Sequence, residues 1–394
     1  MWRSDAGART TVTVREKSRK IRIVINGIHA KSGGGVTYLR RILPEIADNP
    51  NLDLHLFLHR EQFNLFYPIP DGVKVTVFNF KPSFISTLFW EQLSLPVIAN
   101  SMGADVLFSP ANYGPVFARN HVLLLRNAVS VIRLTNRLRP MLYWLALSGA
   151  TIMSLLGAKR AIAVSKYAAR ILTFGLPSYF TRKVAVVYHG TQPIPARDQD
   201  TATDSNTILA VSDIYIQKNY HTLIQAFAKV HERHPELVLK IVGREIDSHY
   251  AAECKALVEK LGLGDRILFM GHMETASVIE LYRNCLVFVF PSTVETFGNP
   301  LVEAMAAGAP IACSGTAAMP EVVEDAGLIF APYDADDIAA KLLKLIEDPS
   351  LRDGLTKRGI ERSKRFRWTE TAHKTLDVLY EAADPVSAAP RQVR

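Results

Sequence analysis

Short apolar runs alternate with amphipathic stretches along most of the chain, and the two patterns demand different elements. Ile21–Asn26 (IRIVIN) is rich in β-branched residues and ends in a small polar residue before Gly27, which suits a parallel strand buried on both faces. Leu54–Leu58, Val73–Phe78, Asp105–Phe108, Val122–Leu125, Ala161–Val164 and Val184–Tyr188 read as further short strands. Helical patterns lie between most of them: Val36–Ile46 behind a glycine triplet, Phe89–Ser101 and Lys166–Phe174. Alternation of this kind builds an open α/β sheet.

Residues 190–206 (GTQPIPARDQDTATDSN) break the rhythm with Pro, Asp, Thr and Ser and no period, as a linker does. Strand Thr207–Ser212 and helix Tyr220–His234 then restart the alternation. Strands Leu237–Val242, Arg266–Met270, Leu286–Phe290 and Pro310–Cys313 follow, with helices between them and three more, to Glu381, after Leu328–Phe330. The expected boundaries are a flexible basic arm (1–20), a first domain (21–190), a linker (191–206) and a second domain (207–365). A closing helix (366–383) packing back toward the first domain and a tail (384–394) complete the chain. Two such domains leave a cleft, and ligands of open parallel sheets sit beyond the carboxyl ends of the strands.

Charge divides along the same boundary. Residues 1–190 hold 24 Lys and Arg against 9 Asp and Glu, a balance of +15, and the remainder holds 22 against 29, a balance of −7. From Val106 to Gly190 there is no acidic residue and there are eleven basic ones. Such a half expects an anionic partner: a membrane surface, a polyanionic acceptor or nucleic acid. No nucleic-acid-reading motif accompanies the charge, so nucleic acid is the least favoured of these. The 48% apolar composition excludes a mainly disordered chain, and three scattered cysteines exclude a disulfide framework and point to a reducing, cytoplasmic compartment. Met141–Gly157 is uncharged and apolar, but at about 1.5 Å per residue it is marginal for a hydrocarbon core of about 30 Å. It reads as a buried domain helix or an interfacial one, and least as a span, so the chain is expected to be soluble or peripheral.

The most informative stretch is Pro291–Ala307, PSTVETFGNPLVEAMAA. A buried strand delivers the chain into a polar loop carrying Glu295, and Asn299 as N-cap with Pro300 in the first helical position starts a helix. The amides of Phe297, Gly298 and their neighbours form an anion site at that helix start, and Glu303 lies one turn in.

The stretch E-TFGNPLV-E resembles the E-x7-E signature of the retaining family 4 glycosyltransferases, also called glycosyltransferase group 1. The resemblance continues through MAAGAPIACSGTAAMPEVVEDAGLIFAPYD, through Ile208–Phe227, and in the first domain through the glycine triplet, WEQLSLP and AIAVSKYAARIL. It implies the GT-B fold, two Rossmann-like doubly wound domains facing a central cleft. By that resemblance Glu303 binds the ribose of a nucleotide diphosphate sugar. Glu295 stands by the transferring sugar, and Lys218 neutralises the diphosphate. Gly33, Gly34 and Gly35 would let backbone amides approach the phosphates from the other side. The triplet is neither a dinucleotide fingerprint nor a P-loop. No metal is required if Lys218 and the helix amides stabilise the leaving group, and no His/Asp metal cluster is evident in the sequence.

Two positions depart from the family pattern. Asp213 stands where many members carry arginine, and an acid beside a diphosphate is repelled, so it should turn away or bind another partner, leaving Lys218 to share the diphosphate charge with Arg244 or another base. Arg126 and Asn127 follow the strand after which a His-Asp pair is usual, and are candidate sugar or acceptor contacts. His189 is a further candidate, with a structural loop histidine as the plainer reading. The function implied is retaining transfer of a hexose, mannose being slightly preferred, to a glycan or lipid-linked acceptor. The donor is the only co-substrate expected, and the basic first domain is expected to face the acceptor and an anionic membrane. A nucleotide-sugar epimerase on the same fold and a non-catalytic sugar-nucleotide binder are the alternatives.

Overall fold

The computed structural model describes residues 19–30, 34–81, 83–126, 138–176, 178–192, 194 and 204–383. Gly33, Asn127, most of the N-terminal arm, much of the linker and the 384–394 tail lie outside the described residues. The first sheet holds seven strands: β1 (Ile21–Asn26), β2 (Leu52–His59), β3 (Val73–Phe78), β4 (Val106–Ser109), β5 (His121–Leu125), β6 (Arg160–Ala163) and β7 (Val184–Val186). Their order is β3-β2-β1-β4-β5-β6-β7, parallel throughout.

The second sheet holds β8 (Asp204–Val211), β9 (Val238–Val242), β10 (Ile267–Gly271), β11 (Cys285–Phe290), β12 (Ile311–Ser314) and β13 (Gly327–Phe330). It runs β10-β9-β8-β11-β12-β13, again all parallel. Both are doubly wound Rossmann-like sheets, as expected. Central strands such as β5 and β11 are almost wholly buried, which is why they read as unbroken apolar runs. β8 starts at Asp204, three residues before the apolar signal at Thr207, because Asp204 pairs with Cys285 at the polar end of the ladder.

In each sheet the order reverses beside the first strand, between β1 and β4 and between β8 and β11, and the loops leaving those strands open a crevice. The two crevices face each other. The chain returns to the first domain through its last helix, Trp368–Ala383, whose Thr375 hydroxyl lies 2.7 Å from that of Tyr38 in helix Gly34–Ala47. The outgoing and returning connections run side by side, Thr191 N–H donating to Phe366 O at 2.8 Å and Thr371 Oγ1 to Tyr188 O at 2.8 Å.

The apolar 141–157 stretch forms helix Leu138–Gly157, and the buried-helix reading is corrected by half. Leu147, Thr151, Ser154 and Leu155 face the core, while Leu142, Leu145, Met153 and Leu156 are exposed. No helix among the described residues is long and apolar enough to cross a membrane.

Candidate active site

A cavity of about 400 Å³ opens where the two crevices meet, a size usual for small-ligand sites. Lys218 and Gln217, after β8, and Val294–Pro300, after β11, form its second-domain wall. Gly34, Arg126, Trp144 and His189 form the first-domain wall. The walls are stitched by Thr296, whose hydroxyl donates to Arg126 O at 2.5 Å and whose carbonyl accepts from the Ser165 hydroxyl at 2.5 Å.

Lys218 is buried and forms an ion pair with Glu295, 77 positions away in the chain. Its ammonium also lies 5.3 Å from the ring centre of Tyr215 and 5.5 Å from that of Phe290. Burial alone would lower the Lys218 pKa, but Glu295 and Tyr215 hold it above the ordinary lysine value. The cation is therefore fixed in the cleft wall with its charge intact.

Helix Asn299–Ala307 begins differently from the sequence expectation. Its N-cap is Gly298, in a left-handed turn at φ 96°, and Asn299 is already helical. The turn favours glycine over any residue with a Cβ, and the Asn299 side chain is engaged elsewhere, its Oδ1 lying 3.2 Å from His189 Nδ1. No side chain caps this helix, Pro300 has no N–H and the Leu301 N–H is bonded to Gly298 O at 3.0 Å, so the anion site is offered by the backbone of Gly298 and Asn299, which line the cavity. Phe297 is buried behind them against His189, Tyr188 and Phe366.

Glu303 is not among the cavity-lining residues. It sits one turn along the helix, accepting a 3.4 Å hydrogen bond from Tyr282, and burial pushes its pKa up. Asp213 has a partner, and it is Arg244, the base expected to share the diphosphate charge with Lys218. Arg244 grips it through Nε and Nη2 at 3.3 and 2.9 Å and through its backbone N–H at 2.9 Å, away from the cavity.

Arg126 reaches into the cleft, with Nε donating to Pro110 O at 3.1 Å and its backbone N–H to Asn112 Oδ1 at 2.8 Å. Burial lowers its pKa. Its guanidinium occupies the space beside Gly35, where a Cβ would come within 2.4 Å of Nη2. Gly34 lines the cavity, whereas Gly35 makes room for an arginine. His189 is buried and its pKa is pushed down to about 4, chiefly by burial and further by Arg126. Because Nδ1 donates to Asn299, Nε2 is the bare nitrogen, and it is buried with no partner among the described residues. That is an acceptor awaiting a donor, which the plain structural reading of this histidine does not supply.

Sequence reasoning missed Trp144, Tyr215, Gln217 and Thr296 in the cleft, and Glu321 beside it. The Glu321 carboxylate accepts from the N–H groups of Lys166 (2.7 Å) and Tyr167 (3.0 Å) and from the Tyr188 hydroxyl (2.8 Å), clasping the first domain. Acids at a helix N-terminus are favourable, but nothing in one chain's pattern shows that the acid comes from another domain. Among the described residues no group of His, Cys, Asp and Glu is placed to hold a metal ion.

Residues 194–362 match the family model described as glycosyl transferases group 1. Over 165 residues the chain is 34% identical to the O-antigen chain mannosyltransferase B of Escherichia coli, covering 41% of this chain and 42% of that protein. It is 29% identical over 208 residues to a D-inositol 3-phosphate glycosyltransferase of Kribbella flavida, covering 50% of this chain and 49% of that one. These matches span about half or less of each curated relative. Among solved structures, the sucrose-phosphate synthase of Thermosynechococcus elongatus superimposes with a TM-score of 0.72 over 92% of this chain and 99% of its own, at 20% identity. Anabaena HepE, solved in complex with UDP and glucose, gives 0.72 over 92% and 100% at 18% identity. Likeness at those identities establishes the fold.

Proposed function

We propose that this chain, which belongs to the group 1 glycosyltransferases of the GT-B fold, transfers a hexose from a nucleoside diphosphate sugar to a glycan or lipid-linked acceptor with retention of configuration. The observation that carries the reading is the Lys218–Glu295 ion pair beside the Gly298 and Asn299 backbone at the start of helix Asn299–Ala307. As the bond from the sugar to the diphosphate breaks, negative charge builds on the leaving phosphate. A fixed ammonium and fixed helix amides stabilise that charge without reorganising. Glu295 holds Lys218 in place and faces the transferring sugar.

In this reading the acceptor hydroxyl attacks from the face the phosphate leaves, and its proton passes to the departing phosphate oxygen. His189 Nε2 takes a hydrogen bond from a sugar hydroxyl, and Arg126 faces the sugar or acceptor across the cleft. Ribose hydroxyls donating to Glu303 restore the charged form that burial disfavours. These roles call for no metal ion. The E. coli O-antigen relative favours mannose as the sugar and a surface polysaccharide or lipopolysaccharide as the product. Three free, buried cysteines suit the reducing cytoplasm, where the donor would be met.

A thermal-shift screen of GDP- and UDP-sugars tests the donor, since a ligand at 100 times its Kd stabilises by about 2.7 kcal/mol. One nucleotide sugar should raise the melting temperature, and Glu303→Ala should abolish that shift with the fold intact. A transfer product whose anomeric configuration matches the donor completes the case. Conversion of the nucleotide sugar with no acceptor present would make the protein an epimerase instead. Binding without turnover across acceptors would make it a binder.

A further inference from the structure

We propose that the outer face of helix Leu138–Gly157, with the neighbouring Phe117 loop, docks the first domain onto an anionic lipid bilayer. Leu142, Leu145, Met153 and Leu156 are 54%, 52%, 51% and 38% exposed, and with Gly149 they recur at helical spacing along one face. No charged residue occurs between Met141 and Gly157. A helix on a water-facing surface ordinarily turns charged side chains outward; this one is apolar on both faces and holds its polar Thr151 and Ser154 inward.

The face does not end with the helix. Phe117, 92% exposed, rides on a loop fastened on both sides. Ser154 Oγ donates to Gly114 O at 2.9 Å, and the Gln92 side chain bonds Gly114 O (3.1 Å) and Val116 N–H (3.0 Å). Gln92 belongs to a helical segment, Phe84–Ser101, on which Phe89, Leu93 and Val97 are exposed at successive turns.

Charge selects the occupant. Lys183 Nζ donates to Leu156 O and Ala158 O at the end of the helix, the exposed Arg182 adjoins it, and the exposed Arg119 lies two residues from Phe117. Residues 106–190, which build most of this surface, contain no carboxylate side chain. Of the acids flanking it in sequence, Glu91 is buried against His29 at 2.6 Å and Asp105 is paired with Arg19 at 2.9 Å. An apolar face with a basic rim complements acyl chains beneath anionic headgroups. A second copy would bring the same basic rim and be repelled.

Trp144, on the same helix, lines the cavity, so an acceptor whose lipid tail stays in the bilayer would reach the cleft along this helix. That use rests on the transferase reading; the docking surface itself does not. Co-sedimentation of the full chain without substrate, on phosphatidylcholine vesicles with and without about 30% phosphatidylglycerol, tests it. Binding should require phosphatidylglycerol, weaken with salt, and fall about tenfold or more in a Leu145→Glu/Met153→Glu variant. An Arg119→Glu/Arg182→Glu variant, which leaves the apolar face alone, should lose the preference for anionic vesicles. Circular dichroism and the nucleotide-sugar thermal shift should be unchanged in both. Equal sedimentation with neutral vesicles, undiminished binding by the first variant, or a dimer that this variant dissolves would each overturn the proposal. Loss of transfer with vesicle binding intact would strike the function and not the surface.

Discussion

His189 and Asn299 meet across the cleft, Nδ1 to Oδ1 at 3.2 Å, one from each domain. The contact fixes the histidine tautomer and ties the first residue of helix Asn299–Ala307 to the first domain.

The first prediction is the pH dependence of folding. Burial pushes His189 down to about 4 and His121 down to about 3, so the unfolded chain binds protons more readily than the folded one below the ordinary histidine value of about 6.5. Stability is full above that value and falls as pH drops through this window. His189 should account for about 3 kcal/mol of the loss by pH 4. Urea midpoints measured between pH 7 and pH 4 should show a shallower decline for His189→Gln than for the native chain.

The Lys218–Glu295 pair predicts unequal single and double substitutions. Lys218→Met strands the Glu295 carboxylate in a partly buried wall and should cost about 1–3 kcal/mol of stability. Adding Glu295→Gln should recover much of that loss. Turnover should fall by about 10²–10³ in Lys218→Met and stay low in the double variant, because the leaving phosphate loses its cation in both. Parallel denaturation and steady-state assays separate the two effects, and recovered turnover in the double variant would remove Lys218 from the mechanism.

Gly35 and Arg126 should behave as one unit. A Cβ at position 35 meets the movable end of Arg126 rather than backbone, so Gly35→Ala should leave the melting temperature nearly unchanged while displacing the guanidinium from the cleft. Transfer should fall in Gly35→Ala about as far as in Arg126→Ala, and no further in the double variant. Additive losses would show that position 35 acts independently of Arg126.

Glu321 tests the clasp. Its carboxylate satisfies two N–H groups of helix Lys166–Leu172, and burial together with this carboxylate pushes the Tyr188 phenol up to about 12. Glu321→Gln should lower stability by about 1–2 kcal/mol, in the range of a lost helix cap, and bring the Tyr188 titration back toward its ordinary value. Absorbance titration of the phenol reads the second effect, and an unmoved Tyr188 would deny the contact.

What was legible in the sequence follows physical range. β5 and β11 are apolar throughout because helices cover both sheet faces, so their existence was plain, while the polar start of β8 at Asp204 was not. Glu295 and Lys218 were legible through a resemblance, but their pairing joins two loops far apart in the chain and leaves no periodic trace. Trp144, Thr296 and Glu321 were invisible because each acts only when the domains meet. Gly35 was noticed for a different reason from the one the structure gives. The outer face of helix Leu138–Gly157 stayed open between a buried and an interfacial reading because an apolar stretch looks the same whether its second face meets protein or not.

The side-by-side connections at Thr191 and Phe366 have a mechanical consequence. Two lobes tethered at one place open like a pair of jaws about that pin, and displacement grows in proportion to distance from it. Tyr188, whose carbonyl is bonded to Thr371 beside the pin, would travel little, so its grip on Glu321 can survive a small opening. Phe297, one residue from Thr296, packs on Phe366 at the pin, so the Thr296 contacts with Arg126 and Ser165 also lie close to it.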